Sequence, residues 1–140
     1  MSDILTITTH GPGLVDITRR AAAIVRNGAG ENTPESGLAH FFIQHTSASL
    51  LIQENADPDV CDDLVDHFDR LAPRTAPWRH TAEGPDDMPA HVKTALTATS
   101  LCIPFAHGEL LLGTWQGLYL FEHRDGTHQR RIVVTLMPRL

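Results

Sequence analysis

Apolar and polar positions along the chain predict a mixture of strands and helices. Alternating or short continuous apolar runs, typical of strands, cover residues 4–9, 37–44, 50–52, 101–105, 109–112, 118–122 and 131–137. Apolar residues at helical spacing cover residues 16–26, 58–71 and 89–98, and the polar, proline-containing residues 31–36 predict a loop. The mixed order of these elements favours the α/β (α+β) class.

Three helix starts are predicted from local residue types. The sequence Asp-Pro-Asp at 57–59 supplies an N-cap, a proline at the first helical position and an acid near the positive end of the helix dipole. Asp16 is the predicted N-cap of the first helix. Pro89 is predicted to open the third helix, which would place His91 and Lys93 in its first turn, where anions are favoured.

The stretch at residues 110–123 places Gly-Thr-Trp-Gln-Gly between two apolar runs. Glycine lets the backbone turn or approach another group closely, and the indole and amide bring polar tips into an apolar setting. Two interpretations follow from this pattern: a site built into a sheet, or a hairpin with a structural tryptophan.

Length and composition narrow the class of protein. The chain has 140 residues, 41% hydrophobic and 20% charged, so we expect one domain over residues 1–140. The net charge of −6 argues against a nucleic-acid partner. No apolar run approaches the ~20 residues that cross a bilayer, and the first residues lack signal-peptide features, so we expect no membrane partner and a cytoplasmic location.

Nine histidines are an unusual number for this length. His45, His80 and His91 each stand at a junction between predicted elements, where side chains from different segments can meet. Imidazoles with carboxylates suit Zn²⁺ or a similar divalent ion, although no spacing here is a ligand signature. The carboxylates considered for acid-base chemistry are Glu54, Asp57, Glu83, Asp87 and Glu122.

Anion binding is a further possibility in the sequence. Arg124, Arg130 and Arg131 could form a local phosphate-binding patch, and a solvated strand end is the alternative interpretation. Ser47 and Ser49 lack a Gly-x-Ser-x-Gly elbow, which favours hydroxyls that bind an anion over a covalent serine. The absence of glycine-rich nucleotide motifs lowers the odds of a nucleotide cofactor.

Three motifs in order resemble the YjbQ-like family over residues 4–137. They are His-Thr-Ser-Ala-Ser at 45–49 with Glu-Asn-Ala-Asp-Pro-Asp at 54–59, Ala-His-Val-Lys at 90–93, and Leu-Gly-Thr-Trp-Gln-Gly at 112–117. The resemblance implies a two-layer sandwich of a mixed, mainly antiparallel sheet with packed helices, a homotrimer, and a thiamine phosphate synthase activity. Residues 83–91 are longer than the corresponding family segment, so the loop over the pocket is expected to differ.

The resemblance also implies roles for individual residues. A divalent metal, Zn or Mg, is expected at His45, His80 and His91, and catalytic groups at His91, Glu83 and Glu122. The small phosphorylated substrate would be bound by Ser47, Asn55, Lys93, Thr114, Trp115, Gln116 and Arg131. In this interpretation Lys93 and Arg131 neutralise phosphates, and Trp115 stacks on a heteroaromatic ring.

Two other classes of function remain open from the sequence. A metal-dependent hydrolase would use the histidines to hold a metal that activates water. A non-catalytic trimeric metabolite-binding protein would bind its ligand without turnover, and its histidines would be ordinary hydrogen-bonded groups.

Overall fold

A computed structural model describes residues 2–28 and 34–139. The strands are β1 (Ser2–His10), β2 (Gly13–Asp16), β3 (Ser36–Ile43), β4 (Ala48–Glu54), β5 (Ser100–Ala106), β6 (Glu109–Leu110), β7 (Gln116–Glu122) and β8 (Thr127–Pro138). The helices are α1 (Thr18–Asn27), α2 (Pro58–Leu71) and α3 (Asp87–Leu96). Half of the loop predicted over residues 31–36, residues 31–33, lies outside the described residues, and its last residue, Ser36, begins β3.

The strands form two antiparallel sheets. The larger sheet has the order β1-β8-β3-β5-β6, and the smaller has the order β2-β7-β4. The larger sheet is one layer, and the smaller sheet with the helices is the other. This arrangement confirms the predicted α+β class. As expected for an edge strand, β1 pairs with β8 alone among the described strands.

One apolar core lies between the two layers. Alternate residues of the larger sheet point into it, including Phe41 and Ile132, and meet Leu50 and Leu120 of the smaller sheet. Helix α1 adds Val25, which is fully buried. The same alternation buries two charged residues near the ends of strands, Glu122 of β7 and Arg130 of β8.

Helix α2 lies on the outer face of the smaller sheet. Phe68 of α2 packs edge-on against Phe121 of β7, with 5.4 Å between ring centroids. The predicted start is confirmed, because Asp57 Oδ1 accepts a hydrogen bond from the backbone N–H of Asp59 at 2.9 Å. The predicted apolar stripe is only half-buried, and Leu71 is 51% exposed, since α2 covers the sheet from outside.

Helices α1 and α3 do not begin where the sequence predicted. Asp16 ends β2, and its carboxylate accepts hydrogen bonds from the N–H and hydroxyl of Thr18, the first residue of α1. Helix α3 begins at Asp87, two residues before Pro89. Proline is tolerated throughout the first helical turn because N–H groups there lack an intrahelical partner. His91 therefore lies in the second turn, and the prediction of the first turn was wrong.

The Gly-Thr-Trp-Gln-Gly segment at 113–117 is not a hairpin turn. Strand β6 before it pairs with β5 in the larger sheet, whereas β7 after it pairs with β2 and β4 in the smaller sheet. The segment therefore carries the chain from one sheet to the other. Residues 44–47 make a similar crossing from β3 to β4. Across the described residues, no helix has the length and apolar character needed to cross a membrane.

Candidate functional site

Two histidines and an aspartate form the principal polar cluster, which we call the His–Asp cluster (His80, Asp87 and His91). Helix α3 places Asp87 and His91 four residues apart on one face, and His80 comes from the preceding loop. His80 Nε2 lies 2.6 Å from Asp87 Oδ2, and His91 Nε2 lies 3.0 Å from the same oxygen. Asp87 is 2% exposed, but both imidazoles reach the surface, so the cluster has one open side.

The hydrogen-bond partner of His91 Nδ1 shows that this nitrogen is protonated. His91 Nδ1 lies 2.9 Å from the carbonyl oxygen of Thr46, which can only accept, so Nδ1 carries a proton. Nε2 then faces the Asp87 carboxylate either with a second proton or with a lone pair. If Nε2 carries the lone pair, a cation bound to both Nε2 and Asp87 Oδ2 would offset the repulsion between them. The separations of 2.6 and 3.0 Å are those of hydrogen bonds, and the three potential ligand atoms lie within 4.8 Å of one another, so the cluster could also hold a divalent cation.

The electrostatic surroundings keep Asp87 ionised. Burial raises the pKa of Asp87, but the hydrogen bond with His80 and the charges of His91 and Arg124 outweigh it, so the pKa lies below its ordinary value. A carboxylate that stays charged in a buried position is suited to hold a cation.

Arg124 supports the cluster from the side opposite the histidines. Its Nε lies 3.4 Å from Asp87 Oδ1 and 3.2 Å from Asp86 Oδ2, and its Nη2 donates to the backbone carbonyl of Glu83 at 2.8 Å. Glu83 is exposed and contacts Arg124 through its backbone. Among the described residues, the Glu83 carboxylate makes no hydrogen bond or ion pair with the cluster, and the catalytic role predicted for it stays a prediction.

Glu122, predicted as a catalytic group, is buried and paired with Arg130. It is 0% exposed, and its oxygens accept from Arg130 Nε at 2.7 Å, Arg130 Nη2 at 2.6 Å and the Thr9 hydroxyl at 2.6 Å. The backbone N–H groups of the next two residues also donate to Oε2. Burial raises its pKa, but these hydrogen bonds, above all from Arg130, hold the pKa below its ordinary value. Its carboxylate has no free position for substrate.

His45 does not join the other two predicted metal ligands. Its Nε2 accepts from the backbone N–H of Arg131 at 2.9 Å, and its Nδ1 lies 3.4 Å from Arg130 Nη1. Burial, and next the charge of Arg130, lower the pKa of His45. Arg131 itself has an exposed side chain and contributes its backbone here. The lone pair that a metal would need on His45 Nε2 is already used.

Ser47 and Lys93, two predicted phosphate or substrate ligands, are both engaged within the chain. The Ser47 hydroxyl accepts from Arg130 Nη2 at 3.1 Å. Lys93 is 7% exposed, and its Nζ donates to Asp69 of α2 at 2.5 Å. At about 100° per residue, Lys93 points about 160° around α3 from His91. The ammonium group therefore lies on a different side of the helix from the His–Asp cluster.

The other predicted substrate ligands lie at the far end of the smaller sheet. In the pairing of β4 with β7, Ala48 faces Glu122 near the cluster end, and Glu54 faces Gln116 six residues away, or about 20 Å along the strand. Asn55, Thr114, Trp115 and Gln116 occupy this distant end, where Trp115 is 64% exposed. The Asn55 N–H donates to the Trp115 carbonyl at 3.0 Å. Within one chain, these residues are therefore too far from His80 and His91 to contact them.

Sequence reasoning missed two features of this region. Asp87 was considered as an acid but not as a partner of His91, although residues four apart on a helix share a face. That signal was hidden because the helix was predicted to begin at Pro89. His123 was not considered at all, and it is 2% exposed with Nε2 2.9 Å from the Ser49 hydroxyl. No local pattern marks it.

Comparison with known proteins gives a consistent result. The family model described as UPF0047 protein YjbQ-like matches residues 3–139. UPF0047 protein sll1880 of Synechocystis sp. is 48% identical over 133 residues, which cover 94% of this chain and 88% of that protein. The crystal structure of conserved hypothetical protein TT1486 from Thermus thermophilus matches with a TM-score of 0.84 and 36% identity, covering 96% of this chain and 99% of the other. An uncharacterised YjbQ/UPF0047 protein from Clostridium acetobutylicum matches with a TM-score of 0.85 and 33% identity, with the same coverage.

Proposed function

The chain belongs to the YjbQ-like UPF0047 family, and from that premise we propose that it is a thiamine phosphate synthase-like transferase with a divalent cation, Zn²⁺ or Mg²⁺, at the His–Asp cluster. In this reaction the ring nitrogen of a thiazole phosphate attacks the methylene carbon of a pyrimidine diphosphate. The new C–N bond forms as the C–O bond to the diphosphate breaks, and that electron pair leaves with pyrophosphate. The observation that carries the proposal is the convergence of His80 and His91 on one oxygen of Asp87.

The side chains around the cluster hold its members in place. When bound, the cation would offset the negative charge that develops on the departing pyrophosphate. Thr46 fixes the imidazole of His91 through its carbonyl, and Arg124 approaches the Asp87 oxygen that the histidines leave free. Outer contacts of this kind orient metal ligands and select the nitrogen that binds.

An open cavity beside the cluster offers space for substrate. It has a volume of about 520 Å³ and is lined by His45, Thr46 and Ser47, among others. Thr46 connects it to the cluster, because its carbonyl accepts from His91. Arg130 lies behind the cavity, paired with Glu122, and its bond to Ser47 positions the crossing segment instead of neutralising a phosphate.

The proposed assembly is a homotrimer, and one surface of the chain supports it. The outer face of the larger sheet carries Ile4, Leu38, Phe42 and Met137, each at least 37% exposed. Ile4, Val133 and Phe42 are neighbours across three strands, so the exposed apolar residues form a row. An exposed apolar patch of this kind marks an interaction surface.

Metal content distinguishes the cluster residues from the remaining histidines. Protein purified without an affinity tag should hold about one divalent ion per chain, as a site with three protein ligands does. The His91→Ala variant should lose that ion, and His45→Ala, the matched control outside the cluster, should retain it. A folded His91→Ala variant with unchanged metal content would show that the His–Asp cluster does not bind the ion.

Product analysis separates the three classes of function. Release of pyrophosphate only when pyrimidine diphosphate and thiazole phosphate are both present is the result expected of the transferase. Cleavage of pyrimidine diphosphate without thiazole phosphate would identify a metal-dependent hydrolase instead. Binding without release of pyrophosphate would identify a metabolite-binding protein.

A further inference from the structure

We propose that Trp78, and not Trp115, is the aromatic surface on which the substrate ring rests, in a single-ring subsite directly beside the His–Asp cluster. This inference rests on the proposed function, since it assigns the heteroaromatic ring of that substrate to a specific place. It adds a specificity-determining residue that the sequence motifs did not indicate.

The subsite is a second cavity that shares His80 with the cluster. It has a volume of about 290 Å³, and the residues that line it include Arg74, Trp78, His80 and Gly84. Because His80 Nε2 is 2.6 Å from Asp87, a ligand against this imidazole lies next to the proposed cation. Trp115 lies at the far end of the smaller sheet, about 20 Å along β7.

Trp78 is held in place before any ligand arrives. Its indole N–H donates to the carbonyl of Pro73 at 3.0 Å, and its backbone N–H donates to the carbonyl of Ala76 at 2.8 Å. The polar tip of the indole is therefore occupied, and what remains for a ligand is the apolar ring surface. A ring that is already fixed loses little conformational entropy when it binds a ligand.

The neighbouring groups restrict what the subsite accepts. Arg74 makes a bidentate salt bridge with Asp125, with N–O distances of 2.6 and 2.7 Å. Arg74 and His80 both line the cavity, but each is paired with a carboxylate, Asp125 and Asp87, so the lining selects by size and aromatic surface and not by net charge. The cavity volume of about 290 Å³ lies just below the ~300–1,000 Å³ typical of small-molecule pockets, which suits one ring and not two. A pyrimidine ring fits this volume, and it is the ring whose diphosphate the proposed cation beside His80 would offset.

Fluorescence can distinguish the two tryptophans because the chain has no others. The Trp115→Phe variant retains only Trp78, and the Trp78→Phe variant retains only Trp115. Titration with pyrimidine diphosphate should quench the emission of the first variant and leave that of the second unchanged. Quenching confined to the Trp78→Phe variant would overturn the assignment.

Kinetics supply an independent measurement. Trp78→Ala should raise KM for pyrimidine diphosphate about tenfold or more, which is the size of base–aromatic stacking losses on alanine substitution. Trp78→Phe should recover most of that loss because it retains an aromatic ring, and KM for thiazole phosphate should stay the same in both. Circular dichroism and oligomer mass verify that the variants are folded.

The possible failures are distinguishable. If the native protein forms product and Trp78→Ala has a native KM for pyrimidine diphosphate, the Trp78 subsite is wrong and the transferase proposal stands. If equilibrium dialysis detects no binding of pyrimidine diphosphate to the native protein and no product forms with both substrates, both proposals are wrong.

Discussion

Acidification should destabilise the folded protein through His123. This imidazole is 2% exposed, with Nε2 2.9 Å from the Ser49 hydroxyl, and its Nδ1 has no hydrogen-bond partner among the described residues. Burial, and next the positive charge of Lys93, lower the pKa of His123 to about 3. At mildly acidic pH, His123 is therefore protonated in the unfolded chain but stays neutral in the folded state.

The size of the effect follows from the difference between the two pKa values. A histidine in the unfolded chain titrates near pH 6.5, so between about pH 6.5 and 3 only the unfolded state binds this proton. The stability contributed by His123 is fully present above pH 6.5 and is lost as the pH falls toward 3. The loss is about 1.4 kcal/mol per pH unit, or about 2.7 kcal/mol between about pH 6.5 and 4.5.

Urea unfolding from about pH 4.5 to 7.5 measures this loss when the native protein is compared with His123→Gln. Glutamine can place a nitrogen near the position of Nε2 and does not titrate. Both proteins contain the same carboxylates, so subtracting one curve of unfolding free energy against pH from the other removes the carboxylate contribution. Protein concentration must be held constant, because the proposed assembly would stabilise the folded state. A difference in unfolding free energy that stays constant across this pH range would refute the reasoning.

Two further substitutions test other parts of the structure. Glu122→Gln should lower the free energy of unfolding by about 3–5 kcal/mol in urea titrations, because it leaves the buried guanidinium of Arg130 without its counter-charge. A loss below about 1 kcal/mol would show that water reaches this pair. Phe42→Glu should convert the proposed trimer to a monomer, as measured by light scattering, since it places a charge on the exposed apolar face of the larger sheet. A trimer that survives this substitution would exclude that face as the interface.

The parts of the fold that could be predicted depend on neighbouring residues. The start of α2 is an example, because an aspartate cap and the proline after it act within a single helical turn. The alternation in β1 likewise predicted a strand, since side chains of a strand point to opposite faces in turn. Both signals are complete within a few residues, and both elements were found.

The candidate site was only partly predictable. Two of its three members, His80 and His91, were named from the sequence, and the third followed from the spacing of Asp87 and His91 once the helix was known to start at Asp87. His45 was grouped with them because it also stands at a junction between predicted elements. Its nitrogens turn instead toward Arg130 and Arg131, on a strand that is far away in sequence.

The sequence by itself determined the α+β class, the position of most elements and two histidines of the cluster. Only the tertiary structure decided that the 113–117 segment crosses between two sheets, that Trp115 lies far from the cluster, and that Glu122 is neutralised inside the core by Arg130. The physical reason is that helix starts and strand alternation arise from nearby residues. Strand partners, burial and the pairing of charges depend instead on contacts between residues far apart along the chain, which a local pattern does not encode.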